Sequence, residues 1–268
     1  MSKVHALIIS GYGTNCERET AYAASRAGAD HTRILHFSKL KQEKINFSDF
    51  NFLIFPGGFL DGDQLGAAQA AANRYLYTRN SNGDSLAACI NQFRARGGLI
   101  LGICNGFQLL AKLGLLPATD NQYLTRQASL THNDSARFED RWVNLRCNPD
   151  SPCIFTRNLD HLYLPVRHGE GKTAFLDSKL SEKVHQNNHI AIQYTNKQGE
   201  TTQLYPDNPN GSPQGIAGLT DPTGQIFGLM PHPEAFNHNT NYPMWTRDNP
   251  GILGTAIFEN AVSYLRTM

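Results

Sequence analysis

The residue best suited to act as a nucleophile is Cys104, within the segment Gly102-Ile103-Cys104-Asn105-Gly106. This segment directly follows the apolar run Leu99-Ile100-Leu101, an order typical of a nucleophile elbow, in which a buried strand turns sharply into a helix. Glycines flank the nucleophile because the turn strains the backbone and a nearby Cβ would collide with the strand or helix. The positive end of the helix favours a thiolate. The pattern predicts a reactive thiol exposed at the tip of a sheet; a buried structural cysteine is the alternative.

A second segment, Phe55-Pro56-Gly57-Gly58-Phe59, follows another apolar run. Paired glycines let backbone N–H groups face a ligand without interference from side chains. An acyl-transfer site needs such donors where negative charge develops on the carbonyl oxygen, and Asn105, the residue after the nucleophile, can supply a second one. The segment predicts an oxyanion hole, although Pro-Gly-Gly is also a common turn.

The third segment is Met230-Pro231-His232-Pro233-Glu234. Pro233 biases His232 toward an extended conformation, and extended residues two apart face the same way. We therefore expect Glu234 to contact the His232 ring and favour its charged form. Cys104, His232 and Glu234 would then be the nucleophile, base and orienting carboxylate of a triad. The alternative is a surface histidine in a loop stiffened by prolines.

The remaining histidines and cysteines do not form a metal-ligand pattern. His185 and His189 have i, i+4 spacing but no supporting carboxylate or cysteine, so we expect them on a solvated helix face and predict no metal site. His168, in His168-Gly169-Glu170-Gly171-Lys172, belongs to a functional loop or a tight turn, and its role is left open. The five cysteines are odd in number and lack C-x-x-C spacing, which favours neither disulfides nor zinc and fits a reducing cytoplasm.

The elements that must position these residues alternate between apolar runs and helical patterns, which predicts a largely parallel α/β sheet with flanking helices. Strands are predicted near 4–9, 33–37, 52–55 and 99–103, and helices near 16–27, 64–77, 85–96 and 254–265. Asn15 is the expected cap of the first helix and Gly28 its end. Residues 79–84 form a polar loop. Short strands near 142–145, 162–166, 190–194, 216–219 and 226–230 are expected as antiparallel or mixed additions, and residues 1–268 as a single domain.

Composition narrows the possible partners. The 268 residues are 40% hydrophobic, which supplies a sizeable core, and the net charge of +1 without a basic cluster argues against nucleic acid. The apolar run at 6–9 breaks at Gly11, too early for a secretory signal or a membrane span. No G-x-x-x-x-G-K-[ST] motif occurs, so ATP-dependent chemistry is expected in a separate partner.

The three chemical segments, in this order and each at a predicted strand end, resemble those of class I glutamine amidotransferases, whose fold is flavodoxin-like. More narrowly, the chain resembles the glutaminase subunits of phosphoribosylformylglycinamidine synthase in purine biosynthesis. This narrower resemblance covers nearly the whole chain. It rests on Gly13-Thr14-Asn15-Cys16, Gly106-Phe107-Gln108, residues 133–138, Arg141-Trp142-Val143, His168-Gly169-Glu170-Gly171 and residues 205–218.

The resemblance implies a role for each site residue. Cys104 attacks the side-chain amide of glutamine while the N–H groups of Gly58 and Asn105 hold the oxyanion. His232, oriented by Glu234, protonates the departing ammonia and then activates the water that hydrolyses the thioester. Two rivals stay open. One is another cysteine hydrolase, such as a γ-glutamyl peptidase, and the other is a catalytically silent binding subunit.

The resemblance also implies substrate contacts and partners. Gln108, Asn133, Ser135 and Phe138 are the candidates for holding glutamine. A large synthetase subunit and a small accessory subunit are the expected partners, with ATP and magnesium in the synthetase and no cofactor in this chain.

The chain departs from the family pattern near these segments. Leu60-Asp61-Gly62-Asp63 stands where the family usually has Ser-Tyr-Gly-Asp, and Gly66 and Ala235 stand where it usually has arginine. These changes put contacts around the pocket or with the partner in doubt more than the triad.

Overall fold

The central strands are apolar along their whole length, as expected for strands covered on both faces. The computed structural model describes residues 2–42, 47–80, 83–248 and 251–268. Its strands are β1 (His5–Ser10), β2 (His31–His36), β3 (Phe52–Phe55), β4 (Leu99–Ile103), β5 (Ala128–His132), β6 (Glu139–Cys147), β7 (His161–His168), β8 (Glu170–Phe175), β9 (Ile190–Thr195), β10 (Ile216–Thr220) and β11 (Ile226–Leu229). Its α-helices are α1 (Glu17–Arg26), α2 (Phe37–Gln42), α3 (Gln69–Tyr77), α4 (Leu86–Ala95), α5 (Asn105–Lys112), α6 (Ser178–Gln186) and α7 (Thr255–Thr267).

Nine strands form one sheet in the order β2-β1-β3-β4-β11-β10-β9-β6-β7, and β5 pairs with β8 separately. Neighbours from β2 to β11 run parallel, whereas those from β11 to β7 run antiparallel. The predicted α/β fold with a parallel sheet and short added strands is confirmed, with the antiparallel part making up about half of the sheet.

The site is positioned by three adjacent parallel strands, β3, β4 and β11. Phe55 of β3 pairs with Gly102 of β4, and Leu229 of β11 pairs with Ile103. The carboxyl ends of parallel strands lie at one edge of the sheet, where open α/β folds place their ligands. The three chemical segments of the sequence therefore leave the sheet side by side.

Helix α1 begins and ends near its predicted bounds, but its predicted cap is wrong. Cys16 occupies the N-cap position and no side chain caps the helix, because residue 15 lies one position too early. Gly28, with φ of 98°, follows the helix end as expected.

Helix α3 begins at Gln69, later than predicted. The preceding residues form turns with left-handed backbone at Asp61, Gly62, Gly66 and Ala68, which no helix accommodates. Of the predicted polar loop at 79–84, Ser81 and Asn82 lie outside the described residues.

The two histidines expected on a solvated helix face separate in the structure. His185 is exposed on α6, but His189 lies beyond the end of that helix and is buried, so the prediction is wrong for His189. In the part of the chain that the structure describes, no helix is long and apolar enough to cross a membrane.

Candidate active site

Cys104 lies at a sharp turn between β4 and α5, with φ of 50° and ψ of −102°. Glycines surround it for a steric reason. A Cβ at Gly106 would lie 2.0 Å from the carbonyl oxygen of Phe55, and one at Gly102 would lie 2.8 Å from the Gly106 backbone. The backbone at Cys104 is therefore held in the strained geometry of a nucleophile elbow, as predicted.

The Cys104 thiol lies in a cavity of about 270 Å³ and is not exposed at the surface. Only 5% of the residue is accessible, and its Sγ donates a hydrogen bond to the Arg167 carbonyl oxygen at 3.5 Å. The expectation of an exposed thiol is wrong: Cys104 is buried and lies in a cavity that Phe59, Phe138 and Arg167 also line.

His232 and Glu234 form a buried pair in the same cavity. Nδ1 of His232 lies 2.7 Å from Oε1 of Glu234, and neither residue is more than 3% exposed. The predicted contact is confirmed, and His232 is close to extended, with φ of −105° and ψ of 89°. The extended backbone does not continue to Glu234 as expected, because Pro233–Ala235 is a short 3-10 helix. The backbone N–H of His232 donates to the Pro165 carbonyl oxygen at 2.8 Å, which fixes the histidine against β7.

The charge around His232 favours its protonated form. Burial alone would lower the pKa of His232, but the Glu234 carboxylate and then the Cys104 thiol outweigh burial, and the pKa lies well above its usual value. Nε2 of the ring is buried and has no hydrogen-bond partner among the described residues. Because Nδ1 faces Glu234, Nε2 is the atom left for exchanging a proton with a thiol or a substrate.

Two backbone groups are suited to bind an oxyanion. Gly58 lines the cavity with φ of 143°, and a Cβ there would lie 2.6 Å from the Gly13 carbonyl oxygen, so only glycine fits. Asn105 begins α5, where the first N–H groups of a helix have no acceptor within the helix. Its side chain accepts a hydrogen bond from the N–H of Leu60 at 3.0 Å, which joins the two loops.

Of the four residues expected to hold glutamine, Phe138 lines this cavity. Ser135 lines a neighbouring cavity of about 390 Å³ and donates to Glu139. The Gln108 amide donates to the Glu170 carbonyl oxygen and accepts from the Asn105 side chain. The contacts of these residues are thus with the protein, and their role toward glutamine stays a prediction.

Asn133, the fourth of these residues, organises the buried His168. Its Oδ1 lies 3.1 Å from Nδ1 of His168 and also accepts the N–H of Gly171. Burial first, and the charge of His232 second, lower the pKa of His168 to about 3. His168 is therefore a neutral ring at the turn between β7 and β8, protonated on Nδ1, with an unpaired Nε2 among the described residues.

Three of the residues that depart from the family pattern, Leu60, Gly66 and Ala235, differ in their surroundings. Leu60 is buried, and Ala235 lines the active-site cavity. Gly66 has φ of 93°, and a Cβ there would lie 3.3 Å from Nζ of Lys112. The buried Lys112 donates to the Ala67 carbonyl oxygen, so a cation of this chain lies beside the position where the family usually has arginine.

Cys16 was not predicted as part of the site. Its Sγ lies 4.0 Å from Nδ1 of His232, and burial raises the pKa of the thiol although the His232 contact lowers it. The residue precedes α1 and lines the cavity. The segment Gly13-Thr14-Asn15-Cys16, on which the family resemblance partly rests, was the signal that could have identified it.

Comparisons with known proteins agree with this geometry. Residues 3–265 match the model of the CobB/CobQ-like glutamine amidotransferase domain. Phosphoribosylformylglycinamidine synthase subunit PurQ of Dehalococcoides mccartyi is 44% identical over 272 residues, covering 99% of each chain. Phosphoribosylformylglycinamidine synthase of Drosophila melanogaster is 36% identical over 244 residues, which are 90% of this chain and 18% of that protein. A chain in the structure of PurLQS from Thermotoga maritima superposes with a TM-score of 0.71 at 28% identity, covering 98% of this chain and 100% of that one.

The fold and the family match define a glutamine amidotransferase. At the level of sequence, the chain belongs to the PurQ family of phosphoribosylformylglycinamidine synthase subunits.

Proposed function

We propose that this chain hydrolyses glutamine to glutamate and ammonia through a thioester on Cys104, and that a synthetase subunit uses the ammonia to form formylglycinamidine ribonucleotide in purine biosynthesis. The observation that carries the proposal is the shared cavity of Cys104, His232 and Glu234, at the ends of neighbouring parallel strands. A nucleophile, a base and a carboxylate that orients the base are the groups that acyl transfer requires.

The reaction proceeds in two acyl transfers. Cys104 reacts as the thiolate, with its proton held by His232. The sulfur attacks the side-chain amide carbon of glutamine, and the N–H groups of Gly58 and Asn105 stabilise the negative oxygen. His232 gives its proton to the departing ammonia as the C–N bond breaks. His232 then takes a proton from water, the hydroxide attacks the thioester carbon, and the released sulfur recovers the proton as glutamate leaves. Throughout, Glu234 holds the ring in one orientation.

The name of the Dehalococcoides relative and the PurLQS assembly support a partner for this chain. The Drosophila synthase contains a similar region in a much longer protein, as expected if the amination site lies in another part of the enzyme. By the resemblance, the partners are a large synthetase subunit, which holds ATP and magnesium, and a small accessory subunit. The five free thiols support a cytoplasmic location within the same proposal.

The proposal is tested by measuring glutamate release from glutamine by the purified chain, alone and with its synthetase. We expect slow release alone, faster release with the synthetase, and none from a Cys104→Ala variant. Release that does not respond to the synthetase would favour a γ-glutamyl peptidase or a similar hydrolase. No release under either condition would favour a silent binding subunit.

A further inference from the structure

Three side chains of the kinds that bind metal ions, those of Cys16, His232 and Glu234, lie close together in the candidate site. The thiol of Cys16, a ring nitrogen of His232 and a carboxylate oxygen of Glu234 all lie within 4.8 Å of one another. Sγ of Cys16 lies 4.0 Å from Nδ1, and Oε1 of Glu234 lies 2.7 Å from the same nitrogen. The fold brings these donors together although Cys16 and His232 are 216 residues apart, which is why no ligand spacing is visible in the sequence.

Two of the donors have bonding capacity that the protein does not use. Oε2 of Glu234 is buried without a hydrogen-bond partner among the described residues, in a side chain that is 1% exposed. The Cys16 thiol donates its proton to Oδ1 of Asn15 at 3.1 Å, which leaves sulfur lone pairs available to the ring side. Gly57 provides the space, since a Cβ there would lie 2.7 Å from Cε1 of His232 and 3.4 Å from the sulfur.

We propose that Cys16, His232 and Glu234 form a binding site for a thiophilic divalent cation, Zn²⁺ above all, that inhibits this enzyme. Zinc binds thiolate sulfur at about 2.3 Å and imidazole nitrogen or carboxylate oxygen at about 2.0–2.2 Å. Ligands at those distances around a tetrahedral ion are separated by roughly 3.3–3.7 Å. The observed spacing needs only small side-chain rotations to reach that geometry.

The charges and protons of the complex balance. Zn²⁺ displaces the Nδ1 proton of the charged His232 ring to solvent while Nε2 keeps its proton, and the Cys16 thiol also releases one proton to solvent. The dication, one thiolate, one carboxylate and a neutral imidazole sum to zero charge, which suits a buried site. All three residues line the active-site cavity, so the fourth coordination position faces the cavity and is open to water.

Metal binding at Nδ1 would remove the base. A neutral ring ligated through Nδ1 carries its proton on Nε2, and such a ring cannot accept a proton from Cys104 or water. Glu234 would also be withdrawn from orienting the ring. The site itself is independent of the glutaminase proposal, whereas inhibition rests on it.

Binding is tested with Co²⁺ as the probe, titrated into the folded Cys104→Ala chain so that the catalytic thiol cannot contribute. We expect a thiolate-to-cobalt absorption band at one ion per chain, displaced by Zn²⁺. The band should disappear when Cys16→Ser or Cys16→Ala is added. The absorption band should persist when Cys89→Ser is added instead, as a matched control, because Cys89 is buried on α4 and is not one of the three proposed ligands. Absence of the band, or its persistence without Cys16, would overturn the site.

Inhibition is tested separately in the unmodified chain with its synthetase. Zn²⁺ should suppress glutamate release reversibly, with recovery after EDTA. For Cys16→Ser, inhibition is measured relative to the variant's own rate without metal. The Zn²⁺ concentration that inhibits this variant should be at least about tenfold higher than the one that inhibits the unmodified chain, since even outer-shell ligands contribute that much to metal affinity. An unchanged inhibitory concentration would overturn inhibition through this site. A cobalt band in a chain that releases no glutamate would instead refute the proposed function and leave the metal site standing.

Discussion

His232 is the central residue of the proposed chemistry, because its two ring nitrogens face different surroundings. Nδ1 faces the Glu234 carboxylate and the Cys16 sulfur, whereas Nε2 is buried without a protein partner in the described part of the chain. The carboxylate accepts the Nδ1 proton, which leaves the Nε2 proton as the one available for exchange with a thiol or a substrate. The Glu234 side chain, two residues along the sequence, thus favours the charged form of the His232 ring.

Glu234→Gln is expected to reduce kcat for glutamate release by roughly 10²- to 10⁴-fold, the range found when the orienting carboxylate or a general base of such a site is altered. The amide keeps the size of the side chain but does not stabilise a positive ring. KM should change little, since Glu234 contacts the ring and not the substrate in our proposal. The measurement is steady-state kinetics at a fixed synthetase concentration.

Glu19→Gln is the matched control, because Glu19 lines the same cavity but is exposed. Its kcat should stay within a few-fold of the unmodified chain. Equal losses in the two variants would mean that the general negative charge of the cavity, and not the contact with His232, supports the reaction.

The buried His168 makes a prediction about stability and pH. Its pKa of about 3 lies below the usual value of about 6.5, so between these values the unfolded chain binds a proton that the folded chain does not. The free energy of unfolding should therefore fall as the pH drops from about 6.5 toward 3, by up to about 1.4 kcal/mol per pH unit from this group. Urea unfolding at several pH values measures this slope.

In His168→Gln the free energy of unfolding should fall less steeply as the pH drops below 6.5, whatever the stability of the variant at neutral pH. The exposed His185→Gln serves as the control and should leave the slope as it is. An identical slope in His168→Gln would show that His168 does not carry the pH dependence.

At the residue scale, sequence signals were strong where chemistry is encoded locally. The G-x-C-x-G and Pro-His-Pro-Glu segments identified Cys104, His232 and Glu234 as residues of one site, and the structure brings them to one cavity, although their catalytic roles stay predictions. For Cys16 the family segment Gly13-Thr14-Asn15-Cys16 was the available signal, and no local pattern indicated its contact with His232, which is distant in sequence. The burial of Cys104 could not be foreseen because residues from other loops, among them Phe59 and Phe138, line the cavity in which it lies.

At the scale of elements, the site is built from turns that follow three strands. β3, β4 and β11 deliver the glycine pair, the nucleophile and the histidine respectively, and each strand is fully buried. Helix α5 packs directly against the end of β3, because Gly106 has no side chain to hold them apart. Close packing of this turn thus fixes the position of Cys104, the proposed nucleophile.

Gly106→Ala tests that packing. Alanine normally stabilises a helix relative to glycine by about 1 kcal/mol, but here its Cβ would lie 2.0 Å from the Phe55 carbonyl oxygen. We expect the free energy of unfolding to fall by about 2 kcal/mol or more, opposite to the helix preference. Gly169→Ala is the control, with its nearest atom 3.9 Å away and an expected change within about 0.5 kcal/mol. A stabilised Gly106→Ala variant would contradict the packing.

Elements with strong periodicity were predictable, and those formed by pairing with distant segments were not. The buried strands β3 and β4 lie where the sequence predicted them. β5 and β8 were missed because they are polar in part and form a separate pair. Helix α6 was missed as well: it is nine residues long and only Val184 of it is buried, so it has little apolar periodicity.

At the scale of the whole molecule, the strand order makes the site. Residues from three distant parts of the chain meet only because β11 inserts beside β4, with β10 beyond it. This order depends on tertiary pairing that no local pattern encodes, so the sequence predicted the strands of the nine-stranded sheet but not their arrangement. The expectation of a single domain stays a prediction.

Transfer of ammonia between subunits gives a prediction for the assembled enzyme. With the synthetase and its substrates present, glutamate release and product formation should stay close to one to one, because a glutaminase that serves a partner must not waste ammonia. Glutamine labelled with ¹⁵N in its side chain, supplied beside unlabelled ammonium, should label nearly all the product. Extensive dilution by the unlabelled ammonium would contradict direct supply.

The central claim is that Cys104, and not the neighbouring Cys16, is the nucleophile. The most direct measurement is labelling with a glutamine-like electrophile, such as a diazoketone analogue, followed by peptide mass spectrometry. We predict one adduct per chain, on the peptide containing Cys104, with both the adduct and glutamate release lost in Cys104→Ala. An adduct on Cys16, or glutamate release that survives in Cys104→Ala, would contradict the account.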